Sequence, residues 1–165
     1  MVIVKTFRGF SDRAWIVFIL FVVVLTTSIA GCETFGPKYN TARSAIAPLG
    51  DQRGRIVFYR PGSFLWYGHR DRPDIFLNDE KVGISRPGTV FYVDVDPGRH
   101  RVTIPAALYT GYVTIYVDVS KAETVYVKNN MGVSIFAGKV KIEVVTPEQA
   151  VTEVDGLEYM AHPVK

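Results

Sequence analysis

From residue 54 onwards the chain consists of short runs of β-branched and aromatic residues, and this pattern limits its possible folds more than any other feature. The runs are separated by glycine, proline, asparagine and aspartate at about 8–12-residue spacing, which is typical of antiparallel strands joined by hairpin turns. The predicted strands are Arg55–Arg60, Asp74–Leu77, Lys81–Ile84, Thr89–Val95, Arg99–Ile104, Tyr112–Val119, Thr124–Val127 and Lys139–Val145.

Alternation within the runs indicates that the strands pack on one face. Phe91, Val93 and Val95 fall on one side of their strand, and the tight-turn sequence Asp96–Gly98 follows. The pattern therefore predicts an all-β fold. We expect an antiparallel immunoglobulin-like or transthyretin-like β-sandwich of about seven to eight strands.

One short helix is expected near the C-terminus, over about 147–154. Thr146, Pro147 and Gln149 match a capping box with proline at the first helical position. Its apolar face consists of Val151, Val154 and Leu157. We expect the helix to pack on a sheet edge or an open end of the sandwich, so that the β-sandwich domain covers 54–157.

Composition excludes several classes of protein. The chain has 165 residues, 48% of them apolar, which is ordinary for a folded protein. Taking Lys5, Arg8, Arg13 and Asp12 from the 19 basic and 16 acidic residues leaves 16 and 15 in residues 32–165. This near-neutral part does not suit nucleic acid, which is not an expected partner. One cysteine allows neither an internal disulfide nor a multi-cysteine zinc site.

The first 31 residues have the layout of a secretory signal. Lys5, Arg8 and Arg13 form a positively charged start, and an unbroken apolar run of 12 residues follows at 14–25. This run is shorter than the roughly 20 residues that a membrane-spanning helix needs. Small residues follow the run, as they do at signal-peptide cleavage sites.

The segment Ile29–Cys32 resembles the lipobox of bacterial lipoproteins, in which an aliphatic residue and two small residues precede a cysteine. The resemblance implies a signal peptide over 1–31, cleavage after Gly31, and lipidation of Cys32 with diacylglycerol and usually a further acyl chain such as palmitate. Two or three acyl chains give stable anchoring, so the membrane is an expected partner through Cys32. An uncleaved signal anchor is the alternative.

Glu33 bears on which membrane holds the anchor. In enteric lipoproteins, aspartate directly after the lipidated cysteine retains the protein at the inner membrane. Because Glu33 is not aspartate, the resemblance implies the outer membrane, facing the periplasm, with the inner membrane as the alternative. Residues 32–53 are expected to form a flexible tether after the lipidated cysteine, and residues 158–165 a loose tail.

The domain itself resembles a family of small proteobacterial lipoproteins whose single β-sandwich is a domain of unknown function. The resemblance covers about residues 53–145. The motifs that carry it are Phe58–Pro61, Leu77–Asn78, Lys81–Gly83, Tyr92–Val95, Pro97–Val102 and Tyr126–Lys128. It implies an envelope lipoprotein with an immunoglobulin-like or transthyretin-like sandwich, with no enzymatic activity and no known ligand.

The sequence gives no reason to expect an enzyme, a catalytic residue or a cofactor. It contains no G-x-S-x-G nucleophile elbow and no phosphate-binding glycine loop. Asp94 and Asp96 share one strand face, and such pairs on an outer face are usually solvated charge. His100 follows the Asp96–Gly98 turn, where we expect a structural histidine that is hydrogen-bonded to the turn.

Metal binding is also not expected. His69, Asp71 and Asp74 lie in one predicted loop and offer ligand types that hold divalent metals. However, Arg70 and Arg72 lie between them and favour ion pairs with the acids. Ligand spacing typical of a metal motif is missing.

The most suggestive segment is the aromatic loop, which we define as Phe64, Leu65, Trp66 and Tyr67. Four large apolar residues in a glycine-flanked loop either fold back to cap the core or form a contact surface. The residues expected to rim the loop are Arg60, Arg70 and Arg72. Phe64 and Leu65 are expected in the cap, and Trp66 and Tyr67 in solvent.

Three functions are compatible with these features. The first is a non-catalytic, lipid-anchored envelope protein whose β-sandwich binds an envelope protein or glycan or supports an assembly. The second is a periplasmic domain that binds a small ligand or metal, and the third is a hydrolase acting on cell-wall or glycan material. A solid core with an exposed aromatic patch favours the first, a closed apolar pocket the second, and clustered acids the third.

Overall fold

The computed structural model describes residues 36–62, 72–106, 111–132, 139–161 and 163. In this part of the chain the strands are β1 Gly54–Arg60, β2 Asp74–Leu77, β3 Glu80–Ile84, β4 Thr89–Val95, β5 Gly98–Pro105, β6 Tyr112–Val119, β7 Thr124–Gly132, β8 Lys139–Val145 and β9 Glu158–Tyr159. The helices are α1 Tyr39–Ala42, which continues into a 3₁₀ turn at Arg43–Ala45, and α2 Pro147–Val154.

The strands form two sheets, which confirms the predicted all-β sandwich with a short C-terminal helix. One sheet has five strands in the order β8-β7-β1-β4-β9, and the other has four in the order β3-β2-β5-β6. Most neighbouring strands are antiparallel, as expected. Two pairs in the five-stranded sheet, β1 with β7 and β4 with β9, are parallel, so this sheet is mixed.

Strand β1 lies at the centre of the five-stranded sheet and is buried along its whole length. Its alternating residues belong to two separate apolar clusters. Ile56 and Phe58 face the four-stranded sheet, whereas Val57 and Tyr59 face the opposite side. This explains the nearly continuous apolar run in the sequence, because a strand covered on both faces has no solvent side to make polar.

The main core fills the space between the two sheets. The rings of Phe58 and Phe91 stack there with centroids 5.2 Å apart. Gly83 on β3 lies against the Phe91 ring, and a Cβ atom at this position would collide with it. The other buried members are Ile56, Ile75, Leu77, Val95, Val102, Ile104, Val117, Val119, Val125, Val127, Val140 and Ile142. Interdigitated packing of this kind brings the sheets into close contact.

Helix α2 packs on the outer face of the five-stranded sheet, rather than on an edge or an open end as expected. Ala150 and Val154 are buried there against Val57 and Tyr59. Val57 and Tyr59 make the outer side of β1 apolar, and the helix covers them. The predicted N-cap is confirmed, because the Thr146 side chain accepts a hydrogen bond from the Gln149 amide at 3.4 Å.

The expected tether and tail are docked on the domain where the structure describes them. Tyr39 and Leu157 are both buried, and the Tyr39 amide donates to the Leu157 carbonyl at 2.8 Å. The Tyr159 amide donates to the Pro37 carbonyl at 2.9 Å. Apolar side chains in both segments cover the same sheet face, so the packed domain extends beyond the predicted limits of 54 and 157.

Candidate functional site

Several residues singled out from the sequence lie outside the described part of the chain. They are Cys32, Phe64, Leu65, Trp66, Tyr67, His69, Arg70 and Asp71. The predictions of lipidation and of an interaction loop therefore stay predictions. Of the three arginines expected at the rim of the aromatic loop, the structure describes Arg60 and Arg72, and only Arg72 is exposed.

Arg60 is buried, since only 2% of its surface is accessible. It follows Ile56 and Phe58 on the inner side of β1, so strand alternation directs it into the end of the sandwich. Its guanidinium donates to the Ser85 carbonyl at 3.1 Å, and Ser85 in turn donates to the Asn129 side chain. This buried polar network links β1, β7 and the loop after β3, and it gives Arg60 a structural role.

His100 is a structural histidine, as expected. Its Nε2 donates to the Asp96 carbonyl at 2.8 Å, which makes Nδ1 the acceptor for the Asn78 amide at 3.0 Å. The Asn78 side-chain oxygen accepts from the Arg101 backbone amide at 2.9 Å. These hydrogen bonds join the β2–β3 turn to the β4–β5 turn and engage both ring nitrogens of His100.

The carboxylates considered in the sequence are held in ion pairs. Asp94 accepts two hydrogen bonds from Arg55, at 2.6 and 2.9 Å. Asp96 pairs with Arg53 at 2.6 Å. In residues 36–62, 72–106, 111–132 and 139–161 no three His, Cys, Asp or Glu side chains come together as a metal site would require.

Asp74, the described member of the predicted metal-type loop, is paired as well. It lies 2.9 Å from the Lys81 ammonium across the β2–β3 hairpin. Among the described residues, this carboxylate is therefore paired with Lys81, and not with Arg72.

A cluster of aromatic rings holds two segments on the five-stranded sheet. We call them the terminal segments, and they comprise residues 36–47 and 157–161. The Tyr92 and Tyr159 rings stack with centroids 6.1 Å apart, and Arg55 lies 4.0 Å over the Tyr92 ring. Burial, with a further contribution from the hydrogen bond with Tyr92, raises the pKa of Tyr159 to about 12. The Arg55 guanidinium also donates to the Ala47 carbonyl at 3.0 Å. These contacts hold the segments around Tyr39 and Tyr159 against the five-stranded sheet.

The opposite side of the molecule carries a patch of a different kind. We call it the tyrosine face, and it consists of Arg99, Arg101, Thr103, Tyr112, Thr114 and Tyr116 on the outward side of β5 and β6. Tyr112 is 72% exposed and Tyr116 56%. Since β6 alternates between these residues and inward-facing Val117 and Val119, the strand's own geometry places both rings in solvent.

The polar groups of the tyrosine face are ordered by contacts within it. The Thr103 and Thr114 hydroxyls lie 3.1 Å apart on paired strands. The Arg99 guanidinium lies 4.6 Å over the Tyr116 ring. Arg101, the cross-strand partner of Tyr116, forms an ion pair with Asp79. Preformed contacts of this kind lower the entropy cost of binding a partner.

A shallow groove of about 380 Å³ runs across part of this face. Its lining is mixed aromatic, hydroxyl and charged, and comprises Phe76, Asp79, Arg101, Thr103, Tyr112 and Thr114. Concave surfaces that combine rings with a few polar groups are typical of binding sites. The arrangement offers stacking and hydrogen bonding, and among its described lining residues no nucleophile is paired with a base.

The sequence contained a signal for the tyrosine face that the strand prediction did not use. The alternation of Tyr112–Val119 puts Tyr112, Thr114, Tyr116 and Asp118 in one phase and the aliphatic residues in the other. An aromatic residue in the polar phase of a strand is exposed once the aliphatic phase forms the core. The aromatic loop is the denser run of large apolar residues, so the sequence draws attention to it before the two tyrosines of β6.

The described helices α1 and α2 are each too short to cross a membrane. Comparisons of the chain with protein-family models, with curated proteins and with solved structures gave no match.

Proposed function

We propose that this protein is a non-catalytic, lipid-anchored envelope protein whose β-sandwich binds another envelope component through the tyrosine face. The observation that carries the proposal is the joint exposure of Tyr112 and Tyr116 on one ordered sheet face. Tyrosine and arginine are the residue types enriched where proteins bind partners, and both are concentrated here. Single exposed apolar residues are common, whereas an ordered group of this kind suggests a contact surface.

The two sheets differ in whether other parts of the chain cover their outer faces, and this difference supports the proposal. On the outer face of the five-stranded sheet, apolar Val57, Tyr59 and Val90 are covered by α2 and the terminal segments. The outer face of the four-stranded sheet instead combines rings, hydroxyls and charges that tolerate water. A face of the second kind is stable in the free protein and still offers stacking and hydrogen bonding to a partner.

The anchor is the part of the proposal that rests on the sequence. The charged start, the 12-residue apolar run and Ile29–Cys32 together favour lipidation of Cys32 after cleavage. Glu33 favours the outer membrane over the inner membrane, with the domain in the periplasm. The aromatic loop, Phe64–Tyr67, with Arg70 and Arg72, is retained as a second candidate contact.

Photo-crosslinking in intact cells tests the interaction. A photo-reactive residue at Tyr116 is expected to give a discrete adduct of higher mass, whereas the same probe at Val144, which is 50% exposed on β8, should give none. The adduct should disappear when Cys32→Ala removes the anchor. Equal adducts from both positions, or no adduct from Tyr116, would contradict the proposal.

A further inference from the structure

We infer that the tyrosine face binds an uncharged glycan chain, which lies along β6 with sugar rings on Tyr112 and Tyr116. The inference rests on the proposed function and names the chemical class of the partner. Four observations lead to it: the exposed rings, the hydroxyl pair between them, the internal neutralisation of charge, and the spacing along an edge strand.

The rings supply the first element of sugar recognition. A pyranose presents a face of C–H groups, which packs well on the face of an aromatic side chain. Tyr112 is 72% exposed and lines the groove. Arg99 lies over one face of the Tyr116 ring and fixes it, so the exposure of Tyr116 comes from the remainder of the ring. Both tyrosines also carry a hydroxyl that can donate and accept.

The groove beside Tyr112 supplies the polar contacts. The Thr103 and Thr114 hydroxyls lie 3.1 Å apart there, and each can donate or accept. Asp79 and Arg101 form the other side. A ligand covered with hydroxyl groups matches such a lining, since every group on it can pair with a donor or an acceptor.

Charge complementarity favours a neutral ligand. Arg101 is already paired with Asp79, and Asp118 lies directly across from Arg99 in the strand register. An anionic partner would find Arg101 already paired with a carboxylate, and Asp118 facing Arg99 across the strand pair. A protein partner that buried the face would have to desolvate the Arg101–Asp79 pair, which costs free energy. A chain rich in hydroxyl groups can hydrogen-bond to the Arg101–Asp79 pair while the pair stays hydrated.

The spacing favours a chain over a single sugar. Tyr112 and Tyr116 are four residues apart on one strand, which corresponds to about 13 Å. One pyranose ring cannot reach both tyrosines. Strand β6 is the outer strand of its sheet, and a linear ligand can follow its outward side chains.

Titration calorimetry with the full-length lipoprotein tests the inference. The protein is held in a polyoxyethylene detergent, so that no sugar headgroup competes. The probes are the linear tetrasaccharides chitotetraose, cellotetraose and maltotetraose, with tetragalacturonate as the charged counterpart. We expect at least one neutral probe to bind, and the charged probe to bind at least about tenfold more weakly.

Variants locate the site. Tyr112→Ala combined with Tyr116→Ala should weaken binding by at least about tenfold, because each removes an exposed stacking surface. Thr114→Val removes one groove hydroxyl at nearly constant volume and should weaken binding about threefold or more. Val144→Ala, on the other sheet, should leave the affinity unchanged. Unchanged melting temperatures show that the variants are folded.

The outcomes separate this inference from the proposed function. If no neutral tetrasaccharide binds, or if tetragalacturonate binds as tightly, the glycan inference is overturned, while a Tyr116 adduct in cells would leave the interaction module standing. If the double variant binds normally, the tyrosine face is not the glycan site. If Tyr116 also gives no adduct in cells, the proposed function fails as well.

Discussion

Glu153 on α2 joins the helix to the sheet through a small ionic network. Its carboxylate accepts from the Tyr59 hydroxyl at 2.7 Å and from the Lys128 ammonium at 2.8 Å. Burial alone would raise its pKa, but hydrogen bonds from Lys128, Gln149 and Tyr59 outweigh burial and lower it. A lowered pKa means that the network stabilises the fold above the ordinary carboxyl range, and that this stability is lost as pH falls through the lowered value.

Replacing Glu153 tests that network. We expect Glu153→Gln to lower the free energy of unfolding at pH 7 by about 1–2 kcal/mol, and the difference from wild type to shrink once the pH falls below the ordinary value of about 4.3. Urea denaturation at several pH values measures this. Glu80→Gln on the exposed start of β3 is the control, with an effect under about 0.5 kcal/mol. An equal Glu153→Gln effect at every pH would show that the carboxylate is not the stabilising form.

Asn78 combines a hydrogen-bonding role with an unusual backbone conformation. Its φ is 50°, in the left-handed region that asparagine and glycine tolerate and other residues resist. We expect Asn78→Gly to lose only the hydrogen bonds to His100 and Arg101. Asn78→Ala should lose these and add backbone strain, so it should be less stable than the glycine variant by about 1 kcal/mol. Equal denaturation midpoints for the two variants would contradict this account of the turn.

At the residue level, local chemistry was predictable and long-range placement was not. The structural role of His100 followed from its position after a proline–glycine turn. The burial of Arg60 did not, because arginine at a strand end before Pro61 is usually exposed. Its partners Ser85 and Asn129 come from distant parts of the chain, and sequence spacing carries no information about such pairs.

Among the packed strands, the small size of Gly83 allows β3 to lie close to the core. A Cβ here would collide with the Phe91 ring, which is itself stacked on Phe58 and cannot move freely. We expect Gly83→Ala to lower the free energy of unfolding by about 1–3 kcal/mol through overpacking. Gly156→Ala, with open space around the new methyl group, should stay within about 0.5 kcal/mol. Thermal denaturation that gave equal effects for the two would refute the close-packing argument.

The elements themselves were largely predictable, since eight strands and α2 lie where alternation and capping indicated. Strand β9 was missed because two residues are too few to show alternation. The parallel pairing of β1 with β7 was also missed. Parallel strands are joined by long connections, so no hairpin turn marks their partnership in the sequence.

On the scale of the whole molecule, the terminal segments belong to the folded domain. Tyr159 stacks on Tyr92, and the Met160 amide donates to the Val90 carbonyl at 2.9 Å. We expect Tyr159→Ala to lower the free energy of unfolding by about 2–3 kcal/mol, as for a partly buried aromatic residue. Tyr112→Ala is the matched control, because this tyrosine is exposed and its loss should cost less than about 0.5 kcal/mol. Equal, small effects in chemical denaturation would restore the loose tail expected from the sequence.

The molecule thus has one sheet face closed by its own chain and another that is ordered and exposed. Sequence alternation predicts which residues of β6 point outward, but it does not tell which outer face the helix and termini will cover. The covered face is set by the apolar outer side of β1, where α2 packs on Val57 and Tyr59. The tyrosine face could therefore be identified only after the packing was known.

Thiol labelling in cells tests the central claim, that the tyrosine face is occupied in the envelope, most directly. Cys32 is the chain's one cysteine, so if it is lipidated, an introduced cysteine is the only free thiol. Thr114→Cys lies in the tyrosine face and Thr152→Cys on the exposed side of α2. We predict that a membrane-impermeant maleimide, given access to the periplasm, labels Thr152→Cys equally in cells and in the purified protein, but labels Thr114→Cys much more slowly in cells. Equal labelling of Thr114→Cys in both settings would contradict the account.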